Sequence, residues 1–188
     1  MCSSDLALMG RHVDLVHQAG TPLAVLMGIE KHDRMIEFIE KHTKKPATST
    51  TLSVTRSAKH LNMKTIALVN KWSEPMNKVL ADFFARAGVK VVGATTSEMP
   101  PSEFVKIPAN DHMMLAYELS KKALADNPKA DGIYLGGGTW ISEPITRQLE
   151  KETGRIVICN QTAQMWDIQE MLGVRKPMPG RNRLLANM

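Results

Sequence analysis

Residues 130–140 read Ala130-Asp131-Gly132-Ile133-Tyr134-Leu135-Gly136-Gly137-Gly138-Thr139-Trp140. A short apolar run closed by turn residues predicts a buried strand over Gly132–Leu135. The three glycines predict a tight turn at its carboxyl end, where the backbone can approach a ligand closely. Runs of the same kind lie at Val13-Asp14-Leu15-Val16, Thr65–Val69, Val89–Val92 and Ile156–Cys159. Between them the periodicity is helical. From Pro75 to Gly88, Met76, Val79, Leu80, Phe83 and Phe84 share one face and Gly88 ends the pattern. Residues 111–125 and 143–152 read likewise. Strands alternating with helices predict an α/β fold with a parallel sheet buried on both faces. Functional groups then belong at the carboxyl ends of the strands.

A repeat runs through the chain. Val13-Asp14-Leu15-Val16 leading to Gly20-Thr21 matches Gly132–Leu135 leading to Gly138-Thr139. A helix ending Ile39-Glu40-Lys41-His42-Thr43 matches Leu149-Glu150-Lys151-Glu152-Thr153, and Pro46-Ala47-Thr48-Ser49-Thr50 matches Ile156–Asn160. Two related lobes are expected: residues 1–63 as a reduced first lobe, 64–172 as the second, and 173–188 as a tail. The first copy is expected to carry a longer loop between turn and helix, and that loop holds His32-Asp33. A first lobe of two strands leaves an apolar face and an open edge, so a homodimer is expected.

The strand ends carry the candidate chemistry. Gly20-Thr21, Gly136-Gly137-Gly138, Thr48–Thr51 and Cys159-Asn160-Gln161 each sit where a helix is about to start. Free N–H groups there favour a carboxylate or phosphate, and hydroxyl and amide side chains add donors. The competing reading is structural: glycines for the turn, and Ser49 or a neighbouring Thr as a helix N-cap.

Other classes are excluded or unsupported. The composition, 43% hydrophobic and 23% charged in 188 residues, is that of an ordinary globular chain. No stretch approaches the roughly 20 apolar residues of a membrane span, and no secretory leader is read at the start, so a cytoplasmic setting is expected. Cys2 and Cys159 make no disulfide framework, and His12, His17, His32, His42, His60 and His112 show no metal spacing. The triple glycine lacks the further glycine of a dinucleotide fingerprint. Neither metal nor cofactor is expected. The net charge of +5 comes without interleaved aromatics, so nucleic acid is not an expected partner.

The motifs in order (AGTPL, IEKHTKKPATST, MKTIALVNKW, ADGIYLGGGTW and IVICNQTAQMWD) resemble the aspartate/glutamate racemase superfamily, in its maleate cis-trans isomerase and arylmalonate decarboxylase branch. The resemblance spans about Val13 to Gly173. It implies two pseudo-symmetric parallel-sheet lobes with a substrate carboxylate between them. It also implies a cysteine in each lobe that adds or removes a proton, the decarboxylases keeping only the second. Those positions fall at Gly20 and Gly137. A tyrosine common in the family falls at Trp72, while the cradle threonine is kept as Thr21 and the isomerase asparagine as Asn160. The family's upstream elements are not matched, so a truncated first lobe is expected.

The expected substrate is a small mono- or dicarboxylate that is isomerised, racemised or decarboxylated through a carbanion or enediolate. Gly20, Thr21, Thr48, Ser49, Trp72, Gly137, Gly138 and Asn160 are the expected binding residues. Cys159 is the candidate catalytic thiol; its alternative role is that of a small buried hydrophobe. A non-catalytic carboxylate-binding protein is the competing functional expectation.

Overall fold

A computed structural model describes residues 3–97, 99–138 and 140–187; Cys2 and Thr139 lie outside the described residues. The elements run α1 (Ser3–Met9), β1 (Val16–Gln18), α2 (Thr21–Met27), α3 (Ile29–Thr43), β2 (Ala47–Ser49), α4 (Thr50–His60), β3 (Thr65–Asn70) and α5 (Glu74–Arg86). They continue with β4 (Lys90–Thr96), α6 (Pro101–Phe104), α7 (Ala109–Asp126), β5 (Gly132–Leu135), α8 (Glu143–Thr153), β6 (Ile156–Cys159), α9 (Asn160–Met171) and α10 (Arg183–Ala186). All pairings are parallel. β1 and β2 form a two-stranded sheet, and the other four strands form a second sheet in the order β4-β3-β5-β6.

The larger sheet is covered on both faces, as its unbroken apolar strands require. Ile66, Leu68, Tyr134 and Ile158 pack in one cluster with Val54 and Ala58 of α4, Leu80 and Phe84 of α5, and Ala163 and Trp166 of α9. The alternate residues Ala67, Val69, Ile133, Leu135, Val157 and Cys159 pack in a second cluster with Phe104, Ala116, Ala123 and Trp140. Strand alternation thus sends Tyr134 and Cys159 into different cores.

Helix α4 joins the two sheets. Its sequence, Thr50 to His60, is rich in Ser and Thr, yet Thr50, Thr51, Ser53, Thr55 and Ser57 are all buried. The hydroxyls of Ser53, Thr55 and Ser57 donate to the carbonyls of Ser49, Thr51 and Ser53, at 2.9, 3.0 and 2.7 Å. Polar groups that bond back to their own helix need no other partner, so α4 packs closely along α9.

Two expectations need correction. The strand expected at Val13–Val16 begins at Val16, because β2, its partner among the described residues, is three residues long and starts beyond Pro46. The first bond of the pair is Val16 N–H to the Pro46 carbonyl, 3.0 Å. The loop expected around His32-Asp33 is helical. Gly28, at φ 74°, closes α2 and opens α3, so His32 and Asp33 ride on a 15-residue helix. At the other edge, β4 runs on to Thr96, past a bulge where Val91 and Gly93 face consecutive residues of β3.

Candidate active site

The carboxyl ends of β1, β2, β3, β5 and β6 lead into the loops and helices that carry the candidate residues. The centre of the group is Tyr134. Its hydroxyl donates to Asn160 Oδ1 over 2.5 Å and lies 3.0 Å from Thr21 Oγ1. Because the phenolic proton is given to Asn160, Thr21 is the donor to Tyr134. All three side chains are buried. Burial pushes the Tyr134 phenol far above its usual range, so it stays a neutral donor. With Oδ1 engaged, Asn160 Nδ2 is left buried with no hydrogen-bond partner among the described residues. A side chain at Gly138 would stand 4.0 Å from that nitrogen.

The second half of the arrangement is the start of α4. Thr50 Oγ1 accepts from Gly20 N–H at 2.9 Å and from Gln164 Nε2 at 2.7 Å. Gln164 belongs to α9, so this hydroxyl ties the first turns of the two helices to the β1 turn. The next residue, Thr51, has a buried hydroxyl without a hydrogen-bond partner among the described residues. Neither α4 nor α9 carries an acidic residue in its first turn. Their positive ends are therefore not neutralised from within. An amide donor, a hydroxyl and two helix starts together suit a carboxylate, or the enediolate derived from one.

The glycines act for different reasons. A side chain at Gly136 would meet the Trp72 ring at 2.9 Å, so that position is closed by packing. Gly137 has φ 128°, and a side chain there would lie 3.8 Å from Lys71 Cε and 3.9 Å from Trp140 Cβ, in ordinary contact. Gly20 has φ 92° and only Pro22 nearby, at 4.0 Å. Trp72 is held by Asn70, whose Oδ1 accepts from Trp72 N–H at 2.9 Å, and its ring centre lies 6.5 Å from that of Tyr134.

Thr21, Asn160, Gly20 and Gly138 are thus brought into one group, with Trp72 and Gly137 at its border. Thr48 and Ser49 point elsewhere. Thr48 Oγ1 donates to Asp167 Oδ2 of α9 at 2.7 Å. Ser49 caps α4, accepting from Leu52 N–H at 3.2 Å, and lies 2.8 Å from His32 Nε2. Cys159 sits in the core of the α7/α8 face, its Sγ 3.5 Å from Thr162 Oγ1. Burial pushes that thiol up, the reverse of an activated nucleophile.

Sequence reasoning missed Tyr134, Gln164 and Lys71. Lys71 is half-buried at the end of β3, its Nζ 3.6 Å over the Phe104 ring, and burial lowers its ammonium below the usual range. The one available signal was a charged residue directly after an apolar strand. Among the described residues, no group of three His, Cys, Asp or Glu is placed to hold a metal, and no helix is long and apolar enough to cross a membrane.

Comparison with known proteins follows the same lines. A family model described as arylmalonate decarboxylase matches residues 2–185. An arylmalonate decarboxylase of Bordetella bronchiseptica is 23% identical over 171 residues, covering 90% of this chain and 70% of the relative. A crystal structure of arylmalonate decarboxylase superposes with a TM-score of 0.85 at 21% identity, over 97% of this chain and 80% of the other. The maleate isomerase Iso of Pseudomonas putida S16 superposes with a TM-score of 0.82 at 20% identity, over 99% and 75%.

Proposed function

Since the chain belongs to the arylmalonate decarboxylase family, we propose that it is an enzyme that binds a small mono- or dicarboxylate between its two sheets. There it stabilises the carbanion or enediolate formed by decarboxylation or isomerisation. The observation that carries this is the Thr21–Tyr134–Asn160 chain, which aims a neutral relay of hydroxyls at an amide and leaves Asn160 Nδ2 buried and unpaired. A buried donor without a partner costs about 1–3 kcal/mol, and a bound oxyanion recovers that cost. Backbone N–H groups of α4 and α9 add to the same charge. One such donor contributes about 3–4 kcal/mol to a developing oxyanion.

In this reading residues 1–63 and 64–172 are two lobes, 173–188 the tail, and Gly20 and Gly137 stand where relatives hold their thiols. The reaction uses no cofactor, and the setting is cytoplasmic. Leu23 and Leu26 of α2, exposed at 47% and 76%, form part of a homodimer contact. Sedimentation at micromolar concentration checks this, a stable monomer being the contrary result.

Calorimetry with malonate, phenylmalonate and maleate, with NMR of the mixtures, tests the function. Millimolar or tighter binding, weakened at least tenfold by Asn160→Ala, is the expected result. A well-folded protein that binds none of the three overturns the proposal. The competing reading, a carboxylate-binding protein without turnover, rests on the burial of Cys159 and the glycines at 20 and 137. Binding without any product is the outcome that favours it.

A further inference from the structure

Asn160 and Gln164 lie one turn apart on α9, on the same side of the helix. From each, a line of hydrogen bonds runs to the turn after β1. Gln164 Nε2 donates to Thr50 Oγ1 at 2.7 Å, and the same oxygen accepts from Gly20 N–H at 2.9 Å. Thr21, the next residue, donates to Tyr134 at 3.0 Å, and Tyr134 donates to Asn160 Oδ1 at 2.5 Å. The two lines close into one circuit through α9, α4, the β1 turn and β5. It passes twice between the half of the chain that holds the small sheet and the half that holds the large one, at Gln164–Thr50 and at Thr21–Tyr134. Thr21, Thr50, Tyr134 and Asn160 are all buried, where such bonds are stronger than in water. Both lone pairs of Thr50 Oγ1 are taken by N–H donors, and its own proton turns to the Gln18 carbonyl, 3.5 Å away.

The hydrogen bonds ahead of α4 and α9 make Thr50 and Asn160 equivalent. Glu40 Oε1 accepts from Ala47 N–H at 3.0 Å, and Glu150 Oε1 accepts from Val157 N–H at 3.1 Å. Thr43 Oγ1 donates to the Ile39 carbonyl at 2.8 Å and accepts from Lys45 N–H at 3.2 Å. Thr153 Oγ1 donates to the Leu149 carbonyl at 2.6 Å and accepts from Arg155 N–H at 3.2 Å. One offset in the numbering carries the first set onto the second, and it carries Thr50 onto Asn160. Each is the first residue of the helix that follows the strand so anchored. The circuit therefore links two equivalent helix starts, whose free N–H groups favour an anion. Asp167, further along α9, accepts from Thr48 and Ser53. That contact joins the same two halves and shares no residue with the circuit.

We propose that Thr50 and Gln164 are positioning residues of the carboxylate site. They hold the start of α4 against the start of α9, so that Asn160 Nδ2 and both helix ends are fixed before a ligand arrives. The inference rests on the carboxylate-site reading above. Thr50 acts through the Gly20 turn and α4, and Gln164 acts through Thr50; neither needs to touch the ligand. A donor set fixed in advance loses less freedom on binding, so opening the circuit shows as weaker binding.

Calorimetry of malonate on the whole chain tests this, with urea denaturation of each variant alongside. Thr50→Val keeps the shape of the side chain and removes its oxygen, Thr50→Ser keeps the oxygen, and Gln164→Met removes the donor. Thr50→Val and Gln164→Met are each expected to weaken binding about three- to tenfold, the equivalent of one net hydrogen bond, with Thr50→Ser within about twofold of the original. Thr50→Val combined with Gln164→Met should bind no more weakly than Thr50→Val alone, because the two changes remove a shared bond. Thr50→Val combined with Tyr134→Phe should lose more than the product of the two single losses, because each line holds the helix starts while the other is open. Asp167→Ala should lower stability and leave the affinity unchanged. If it weakens binding as much as Thr50→Val does, affinity merely follows stability and the proposal is overturned. A folded Thr50→Val protein that binds like the original overturns it too, as does Thr50→Ser binding as weakly as Thr50→Val, or a plain product with Tyr134→Phe. If Thr50→Val fails to fold, Gln164→Met and its combination with Tyr134→Phe carry the same test. A wild type that binds no malonate overturns the site reading instead, and the positioning role with it.

Discussion

Thr48 of β2 and Asp167 of α9 are joined by a 2.7 Å hydrogen bond that ties the small sheet to the helix flanking the large one. The carboxylate is 3% exposed and also accepts from Ser53 at 2.8 Å, while Arg56 approaches at 3.3 Å from a half-exposed position. A buried carboxylate that accepts from two hydroxyls loses more when it is removed than an exposed cation loses when it leaves. Asp167→Ala should therefore cost about 1–3 kcal/mol, because it strands the Thr48 hydroxyl, while Ser53 keeps the Ser49 carbonyl. Arg56→Ala should cost no more than about 1 kcal/mol. Urea denaturation of both variants checks the ratio, and equal losses would place the energy in the ion pair instead.

Stability should fall as the pH drops below about 6.5. His17 and His32 both have their pKa lowered by burial, with Asp167 and Asp33 opposing the shift. A depressed folded-state pKa means that the native protein binds fewer protons than the unfolded chain across that window. Its stabilising contribution is complete above the unfolded value near 6.5 and is lost as the pH falls through the folded value. Each group adds at most about 1.4 kcal/mol per pH unit. Glu150 runs the other way: its carboxyl is raised by burial, so its contribution falls as the pH rises through and above the ordinary carboxylate range. Urea midpoints measured from pH 7.5 to 5.5 should decline, and His32→Gln should flatten the slope. An unchanged slope would mean that His32 binds protons equally in the native and unfolded states.

Tyr134→Phe should lower both stability and carboxylate affinity. The change keeps the ring against Phe84, 5.8 Å between centres, but leaves the Thr21 hydroxyl and Asn160 Oδ1 without their partner. The expected loss of stability is about 1–3 kcal/mol. Asn160 also becomes free to rotate, so malonate should bind several-fold more weakly in calorimetry. Unaltered binding would remove Tyr134 from the site and leave it a packing residue.

The readable part of this fold lies where one residue type dominates a run. Gly132–Leu135 and Ile156–Cys159 are strands because β-branched and aliphatic side chains fit a sheet buried on both sides. Thr21 and Asn160 were legible because each opens a helix after a strand. Tyr134 was not, since a tyrosine in an aliphatic strand reads as core until its hydroxyl is seen to find Thr21 and Asn160. The directions of Thr48 and Ser49 were hidden for another reason. In a three-residue strand the alternation has too little length to fix which side faces which neighbour, and the α4–α9 packing decides it. The relation between His32 and Ser49 is tertiary: α3 lies along β2 only once Gly28 has broken the preceding helix.

Gly137→Cys should create or raise proton-transfer activity at the proposed carboxylate site. The site would then hold both the proposed anion cradle and a titratable thiol at the position we propose to match a relative's thiol. The backbone opposes the change. At φ 128° a β-carbon is strained, at a cost of about 1–2 kcal/mol. Space does not oppose it, because the nearest atoms, Lys71 Cε and Trp140 Cβ, lie 3.8 and 3.9 Å from the new carbon. The Lys71 ammonium would favour the thiolate, unlike the environment of Cys159, where burial favours the thiol. A positioned acid–base group contributes about 10²–10⁴-fold, equivalent to about 3–5 kcal/mol of barrier. The gain therefore exceeds the strain, and the variant should both fold and act. Decarboxylation of phenylmalonate and isomerisation of maleate, followed by NMR, are the measurements. Iodoacetamide should block the gained activity in the variant and leave the buried Cys159 of the parent untouched. A variant that folds, binds malonate and gains nothing on either substrate would show that charge stabilisation at Asn160 and the two helix starts is not coupled to chemistry, leaving carboxylate binding as the role of this cleft.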